Sequence, residues 1–275
     1  SGLICGGWRS SHLMAKQHGP LILSKSRILI SNDDGIDAAG LKSMEKIARK
    51  LSNDVWIVAP ETEQSAVGHS LTLRRPLRIR KISENKFVVD GTPTDCVLLG
   101  VNKIMSENPP DLILSGINRG GNLGEDVTYS GTVAAAMEGA LLGIPSVAIS
   151  LVVTDRARPR WVTAETWVPK VLKKLTTNSW PKNVFINVNI PDVPARSVTG
   201  MEVNRQGRRK IGGELAEGRD PRGDQYFWIG AQRDEDRFRK DTDLEAVHRG
   251  AISVTPLGLD LTHGATLRKL RDAFS

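Results

Sequence analysis

The stretch RILISNDDGI at residues 27–36 decides the fold class. Its first half, Arg27–Ser31, is a short apolar run that predicts a buried β-strand, and the Asn-Asp-Asp-Gly that follows predicts a turn. Apolar residues then recur at helical spacing over Leu41–Leu51, behind Asp37 as a suitable N-cap, and a second apolar run follows at Val55–Ala59. These segments predict a βαβ unit, which is the building block of a parallel sheet.

The same alternation continues along the chain. Further strands are predicted at Asp111–Ser115, Ser146–Leu151 and Val184–Val188, with helices over 133–142 and 163–175 between them. We therefore expect an α/β fold with a Rossmann-like, doubly wound and mostly parallel sheet. The remaining predicted elements are a hairpin over 77–89, an apolar helix opened by Gly-Thr-Pro-Thr-Asp at 91–95, a returning strand at 251–255 and a terminal helix near 267–270.

A change of composition separates the C-terminal part of the chain from this core. Residues 205–223 carry six Lys/Arg, three Asp/Glu and five Gly, and the apolar cluster Tyr226-Phe227-Trp228-Ile229 follows them. We expect 205–230 to form a projecting β-arm that joins the subunits of a homodimer or homotetramer, although a hairpin closing over its own subunit is nearly as plausible. Residues 25–275 then form one domain, and 1–24 a mobile N-terminal extension or tag.

Composition excludes several classes of protein. The chain has 275 residues, a net charge of +7 and only two cysteines, which predicts a reducing cytoplasm rather than a disulfide framework. No apolar run approaches the roughly 20 residues that a membrane span needs. The basic segment 205–223 contains no interleaved aromatic residues for base stacking, which argues against nucleic-acid binding.

Two adjacent carboxylates follow the first predicted strand. Asp33 and Asp34 come at its C-terminal end, where open α/β sheets place their ligands. Gly35 allows the backbone to turn, so that both carboxylates can face one hard cation such as Mg²⁺ or Mn²⁺. Taken alone, the same stretch is also typical of a turn with a helix-capping Asp. The prediction of a metal site therefore depends on the other strand ends.

A second strand ends in polar residues that can reach the same edge of the sheet. Ser115 ends the predicted strand Asp111–Ser115 and Asn118 comes three residues later, and the Asn118 carbonyl oxygen is a suitable hard ligand. Ser65, in the loop Pro60–Leu71 after the second strand, can reach the same crevice. Each has an alternative explanation: Asn118 as a turn residue, and Ser65 as a solvated loop hydroxyl.

The segment Tyr129-Ser130-Gly131-Thr132 opens the predicted helix 133–142. Hydroxyl groups and unpaired N–H groups at a positive helix end provide an anion site. An ordinary N-cap explains Ser130 or Thr132 equally well. The segment is therefore a candidate phosphate site with an open structural alternative.

Taken together, these motifs resemble those of the stationary-phase survival (SurE) nucleotidases. The resemblance extends over most of residues 27–262. Each segment alone is modestly specific, whereas the set is highly specific. The segments are RILISNDDGI (27–36), AP (59–60), SLTL (70–73), VDGTPTDCV (89–97), PDLILSGINRGGNLGEDVTYSGT (110–132), GIPSVAIS (143–150) and ISVTPLGLDLT (252–262).

The resemblance implies a divalent-metal phosphatase with a Rossmann-like core and a C-terminal arm exchanged between subunits. It assigns one Mg²⁺ or Mn²⁺ per subunit to Asp33, Asp34, Ser65 and Asn118. Asp33 and Asp34 are also the predicted catalytic residues, and the phosphate is assigned to Asn32, Gly116, Ser130, Gly131 and Thr132. One departure is Ala66, which stands where the family often has Gly.

The predicted function is the hydrolysis of nucleoside 5′- and 3′-monophosphates to nucleoside and phosphate. The alternative is a regulatory module that binds nucleotides at the same metal site with little turnover. The intact set of predicted ligands favours the enzyme.

Overall fold

The computed structural model describes residues 20–154, 158–178, 181–211, 215–229, 233–236 and 239–275. Most of the predicted N-terminal extension, residues 1–19, lies outside these ranges. The rest of it does not behave as an extension: the Leu21 backbone N donates to Thr176 O at 2.9 Å, and Leu23 is buried. The packed domain therefore begins before residue 25, because apolar residues on both sides of Ile22 contact the core.

Within the described ranges, nine strands form one mixed sheet in the order β3-β4-β2-β1-β5-β6-β7-β13-β8. The central pairs from β4 to β7 are parallel, while β3 and β13 each pair in antiparallel fashion with one neighbour. The strands in chain order are β1 (Arg27–Ser31), β2 (Asp54–Pro60), β3 (Ile79–Ser83), β4 (Lys86–Val89), β5 (Leu112–Arg119), β6 (Ser146–Leu151), β7 (Val184–Ile190), β8 (Met201–Val203), β9 (Arg209–Ile211), β10 (Leu215–Arg219), β11 (Gln225–Ile229), β12 (Arg233–Glu235) and β13 (Ile252–Gly258).

The helices are α1 (Ala39–Leu51), α2 (Pro93–Leu99), α3 (Gly131–Leu141), α4 (Trp161–Leu175), α5 (Asp243–His248) and α6 (Gly264–Phe274). Helix α2 begins with a capping box, in which the Thr92 side chain accepts from Asp95 N and the Asp95 side chain accepts from Thr92 N. The predicted N-cap of α1 is wrong: Ala38, not Asp37, occupies that position, and it makes no side-chain cap. None of the helices in the described ranges has the length and apolar character that crossing a membrane requires.

Helices cover both faces of the sheet, and alternate residues of β1 show why. Ile28 and Ile30 belong to one buried cluster with apolar residues of α1 and α4, whereas Leu29 points to the other face and belongs to a second cluster with residues of α2 and α3. All three side chains are fully buried. A strand with both faces covered reads as a continuous apolar run, so the predicted doubly wound α/β fold is confirmed.

Only part of the predicted arm 205–230 stands apart from this core: Arg209–Ile211 packs against residues 124–128, whereas the β10–β11 hairpin is exposed. β10 and β11 pair in antiparallel fashion as a separate hairpin, and β9 pairs with β12. The hairpin carries exposed apolar side chains, among them Trp228 at 70% and Ile229 at 72% exposure.

Candidate metal and phosphate site

The turn after β1 places the two adjacent carboxylates at the C-terminal edge of the sheet. Asn32 Nδ2 donates to Gly35 O at 2.9 Å, and Gly35 adopts a left-handed φ of +93°. Asp33 is buried with 5% of its surface exposed, while Asp34 is half-buried. The chain therefore turns directly after the strand and brings both carboxylates to the same edge.

Burial perturbs both carboxylates. It raises the pKa of Asp33 above its usual value, against the opposing effect of hydrogen bonds from Thr132. Burial, together with the charge of Asp33, raises the pKa of Asp34 to about 6. Two negative charges held this close in a poorly solvated place repel each other, and an oxygen-binding cation would relieve that repulsion.

The end of β5 approaches the same place through a distorted strand. The pairing of β5 with β6 shifts register between Gly116 and Asn118, and a Cβ on Gly116 would lie 2.2 Å from Ile149 O. Only glycine fits there. Beyond this distortion the Arg119 backbone N donates to Asp34 Oδ2 at 3.4 Å. Asn118 Nδ2 donates to Gly120 O at 2.8 Å, so that Oδ1 is the atom suited to a cation.

The loop after β2 brings Ser65 to the site. Gln64 N donates to Asp33 O at 2.7 Å, and Gly68 N donates to Tyr129 O at 3.0 Å, which fixes the loop on both sides of Ser65. Ser65 Oγ donates to Glu63 Oε1 at 2.6 Å. Ala66 has a left-handed φ of +58°, a conformation that favours glycine.

The N-terminus of α3 lies directly against Asp33. The Thr132 hydroxyl donates to Asp33 Oδ1, and a Cβ on Gly131 would lie 2.8 Å from Asp33 Cβ. Ser130 is the N-cap, and its Oγ accepts from Val133 N at 3.1 Å. Helix α3 thus presents its positive end to the cavity beside the carboxylates.

A cavity of about 500 Å³ unites these strand ends. Its lining contains all four predicted metal ligands and one predicted phosphate residue: Asp33, Asp34, Ser65, Asn118 and Ser130. The other predicted phosphate residues do not line it: Asn32, Gly116, Gly131 and Thr132. All four are buried behind the lining, where Thr132 contacts Asp33 and Asn32 holds the turn.

Several polar residues of the cavity escaped the sequence prediction: Glu63, Arg119, Asn122, Asp126 and Arg209. Arg119 follows Asn118 directly and Glu63 lies two residues before Ser65, so proximity to the predicted ligands was a usable signal. Arg209 carried no such signal, because it comes from the arm and reaches the cavity only through the tertiary fold.

The donors around the cavity fit a hard divalent cation. Carboxylate, hydroxyl and amide oxygens are the ligands that Mg²⁺ and Mn²⁺ prefer. Nearby, Asn32 Oδ1 and Ser115 Oγ are buried without a hydrogen bond to the described residues. The described ranges contain no group of three or more His, Cys, Asp or Glu placed to hold a metal, so such a site depends on hydroxyl and amide oxygens as well.

Comparisons with known proteins agree with this architecture. The family model for "Survival protein SurE" matches residues 28–213. The "5'-nucleotidase SurE" of Paramagnetospirillum magneticum is 63% identical, with 91% of this chain and 96% of the relative covered. The protein of the same name from Rhodospirillum rubrum is 57% identical, with 92% and 97% covered.

A solved structure shows the same fold. The crystal structure of the SurE protein from Aquifex aeolicus superposes with a TM-score of 0.80 at 40% identity, covering 90% of this chain and all of that one. The match of the family model over most of the chain and the identity to relatives across their length lead to one conclusion: this chain belongs to the SurE family.

Proposed function

We propose that this chain is a metal-dependent 5′-nucleotidase, which hydrolyses nucleoside 5′- and 3′-monophosphates with one Mg²⁺ or Mn²⁺ per subunit. One observation carries the proposal: Asp33 and Asp34 share a cavity with the N-terminus of α3. Carboxylates suit a cation and a helix N-terminus suits a phosphate, so the two halves of a metal-assisted phosphatase adjoin each other. The name "5'-nucleotidase SurE" of the relatives supports the same activity.

The residues proposed to hold the metal are Asp33, Asp34, Ser65 and Asn118. When bound, a divalent cation neutralises charge on phosphoryl oxygens and acidifies a water molecule. The half-buried Asp34 is the better placed carboxylate to orient or deprotonate an attacking water, because Asp33 is occupied by the Thr132 hydroxyl.

The remaining residues are proposed to hold the phosphoryl group and to support the ligands. The N-terminus of α3, with Ser130 and the N–H groups behind it, would bind the phosphoryl oxygens. Thr132 would keep Asp33 in place, and Gly131 allows the close approach of α3 to that carboxylate. Asn32 and Gly116 would support the site by shaping the two strand ends.

Phosphate release from nucleoside monophosphates tests this function. A panel of 5′- and 3′-nucleotides, run with Mg²⁺, with Mn²⁺ and with a chelator, should show hydrolysis that the chelator abolishes and metal restores. Nucleotide binding without phosphate release would instead support a regulatory module.

We further propose that the subunits form a homodimer or homotetramer through residues 205–230. The exposed Phe227, Trp228 and Ile229 support this, because an apolar cluster of this size is typical of a surface covered by a partner. Light scattering should give the mass of at least a dimer, and a monomer at micromolar concentration would refute it. The sparse cysteines, with Cys96 free and buried, support the proposed cytoplasmic location.

A further inference from the structure

The start of the arm is attached to the turn that leads into α3. We call residues 205–211 the arm base and residues 124–129 the site turn. The site turn ends one residue before Ser130, the N-cap of α3. It also contacts the loop of Ser65, since Tyr129 O accepts from Gly68 N at 3.0 Å. Whatever fixes the site turn therefore fixes two walls of the cavity.

A fully buried carboxylate joins the arm base to the site turn. Asp243 Oδ2 accepts from Gly124 N at 2.9 Å, and Asp243 Oδ1 accepts from Gly207 N at 2.7 Å. In addition, Gln206 Nε2 donates to Gly124 O at 3.0 Å. The packing is close, because a Cβ on Gly124 would lie 2.8 Å from Arg209 N.

Arg209 extends this attachment to the cavity itself. Its backbone N donates to Glu125 Oε2, and its Nε lies 3.2 Å from Asp126 Oδ2 and 3.4 Å from Glu235 Oε2. The side chain is only 13% exposed and lines the cavity together with Asp126. Removing one partner of a buried charge pair is costly, because the other charge is then left buried without compensation.

The next residue adds a contact at the other end of the site turn. Lys210 Nζ donates to Tyr129 Oη at 2.5 Å and lies 4.8 Å from the centroid of the Tyr129 ring. The arm base thus grips the site turn at Gly124, Glu125, Asp126 and Tyr129.

We propose that Arg209 is a positioning residue for the phosphate site: by holding Asp126 from the arm base, it fixes the site turn and with it the N-terminus of α3. The inference rests on the proposed function and adds to it a residue that acts through the site turn. Its consequence is that catalysis depends on docking of the arm base, because small displacements of phosphate-binding groups cost rate.

We call the contact of Arg209 with Asp126 the clamp. Hydrogen exchange of the amides in 124–133, measured by mass spectrometry, tests the clamp without relying on catalysis. Arg209→Gln should speed this exchange, and Arg209→Lys should not restore protection, because the compact ammonium of lysine does not reproduce the planar, several-donor guanidinium that lies between Asp126 and Glu235. Arg205→Gln is the matched control. Arg205 also belongs to the arm base and pairs with Asp241 at 2.9 Å, away from the cavity, so its loss should leave exchange in 124–133 unchanged.

Kinetics then test whether the clamp matters for the reaction. We expect Arg209→Gln to lower kcat/KM for a nucleoside monophosphate about ten- to a hundredfold and to weaken inhibition by inorganic phosphate. The mass of the assembly in solution should stay unchanged. Asp126→Asn should have a similar effect, and the double variant should be no worse than either single one. Additive losses, or rescue by Arg209→Lys, would show a direct charge contact with substrate and overturn the proposal.

Two further outcomes separate this inference from the proposed function. Unchanged exchange in Arg209→Gln would overturn the clamp even if the enzyme is a nucleotidase. Absence of phosphate release from the wild type would refute the proposed function. In that case, faster exchange in Arg209→Gln than in the wild type would still support the clamp. If Arg209→Gln unfolds, its exchange is faster for that reason only. Asp126→Asn keeps the size of the side chain and therefore provides a second test by the same measurement.

Discussion

The C-terminal edge of the sheet and the β10–β11 hairpin differ in which side chains they bury and which they expose. At the sheet edge, polar groups such as Asp33 and Thr132 are buried and bonded to each other within one chain. On the hairpin, apolar groups such as Trp228 and Ile229 stand in solvent. On the proposals above, a ligand would complete the first region and another subunit would cover the second.

The difference predicts which property a substitution in each region should change. Changes at the sheet edge should alter chemistry with little effect on assembly. Changes on the hairpin should alter assembly with little effect on the stability of the single chain, because exposed side chains make few internal contacts. The predictions below test this separation.

The largest effect is expected for Asp34→Asn. Loss of one negative charge should weaken metal binding and reduce kcat/KM about a hundredfold or more, while the amide keeps the size of the side chain and the melting temperature nearly unchanged. Asp33→Asn should behave similarly, since the amide oxygen can still accept from Thr132. Phosphate release and thermal melts of the same preparations provide both measurements.

The hairpin offers a control for this comparison. Asp220, in the turn between β10 and β11, accepts from Arg222 N and Asp224 N, and Asp220→Asn removes the same charge far along the chain from the cavity. It should leave kcat/KM unchanged. Full activity of Asp34→Asn at limiting metal would refute the assignment of Asp34.

A smaller effect, on assembly, is expected for Trp228→Ser. If a partner covers this side chain, its loss removes about 2 kcal/mol of apolar burial and weakens subunit association about thirtyfold. Val162→Ser on α4 is the control, because Val162 is similarly exposed, at 72% against 70% for Trp228, but lies outside the arm. Analytical ultracentrifugation over a dilution series measures both, and equal dissociation constants for Trp228→Ser and the wild type would disprove a role of the hairpin in assembly.

Ser65→Ala should affect metal activation less than Asp34→Asn does. A neutral hydroxyl holds a divalent ion less strongly than a carboxylate, and Ser65 also shares its proton with Glu63. We expect a shift of the Mn²⁺ activation midpoint of about tenfold or less. A larger shift for Ser65→Ala than for Asp34→Asn would mean that the two roles are inverted.

The smallest expected effect is at Ala66. Its left-handed φ of +58° costs an L-residue about 1 kcal/mol. Glycine would remove this cost, but its greater conformational freedom in the unfolded chain would offset part of the gain. Ala66→Gly should therefore raise the free energy of unfolding by up to about 1 kcal/mol. Ala265→Gly, in the exposed helix α6, should lower it. Denaturant-induced unfolding measures both free energies. A lower free energy of unfolding for Ala66→Gly than for the wild type would contradict backbone strain at Ala66.

The parts of the fold that were predictable from sequence are those with local signals. The apolar run Arg27–Ser31 followed by Asn-Asp-Asp-Gly predicted both β1 and the position of two carboxylates at its end, because strand and turn each have their own residue preferences. Ser115 and Asn118 were predicted in the same way, although the strand that carries them runs on to Arg119. Ala66, the one departure from the family named above, has the left-handed backbone conformation that favours glycine.

What escaped prediction depends on contacts between distant parts of the chain. Arg209 lies 3.2 Å from Asp126 although 83 residues separate them, and no periodicity reports such a pairing. Thr132 was predicted to contact phosphate, but its hydroxyl donates to Asp33, because the tertiary fold brings the N-terminus of α3 against the turn after β1. The N-cap of α1 at Ala38 shows the same limit, since propensity favoured the neighbouring Asp37.

Titration of Mn²⁺ into the protein by calorimetry tests the central claim most directly, because it probes the sheet edge without relying on turnover. The account predicts one ion per chain in the wild type, clearly weaker binding in Asp34→Asn, and unaltered binding in the hairpin variant Asp220→Asn. Binding of Mn²⁺ by Asp34→Asn with the affinity of the wild type would contradict it.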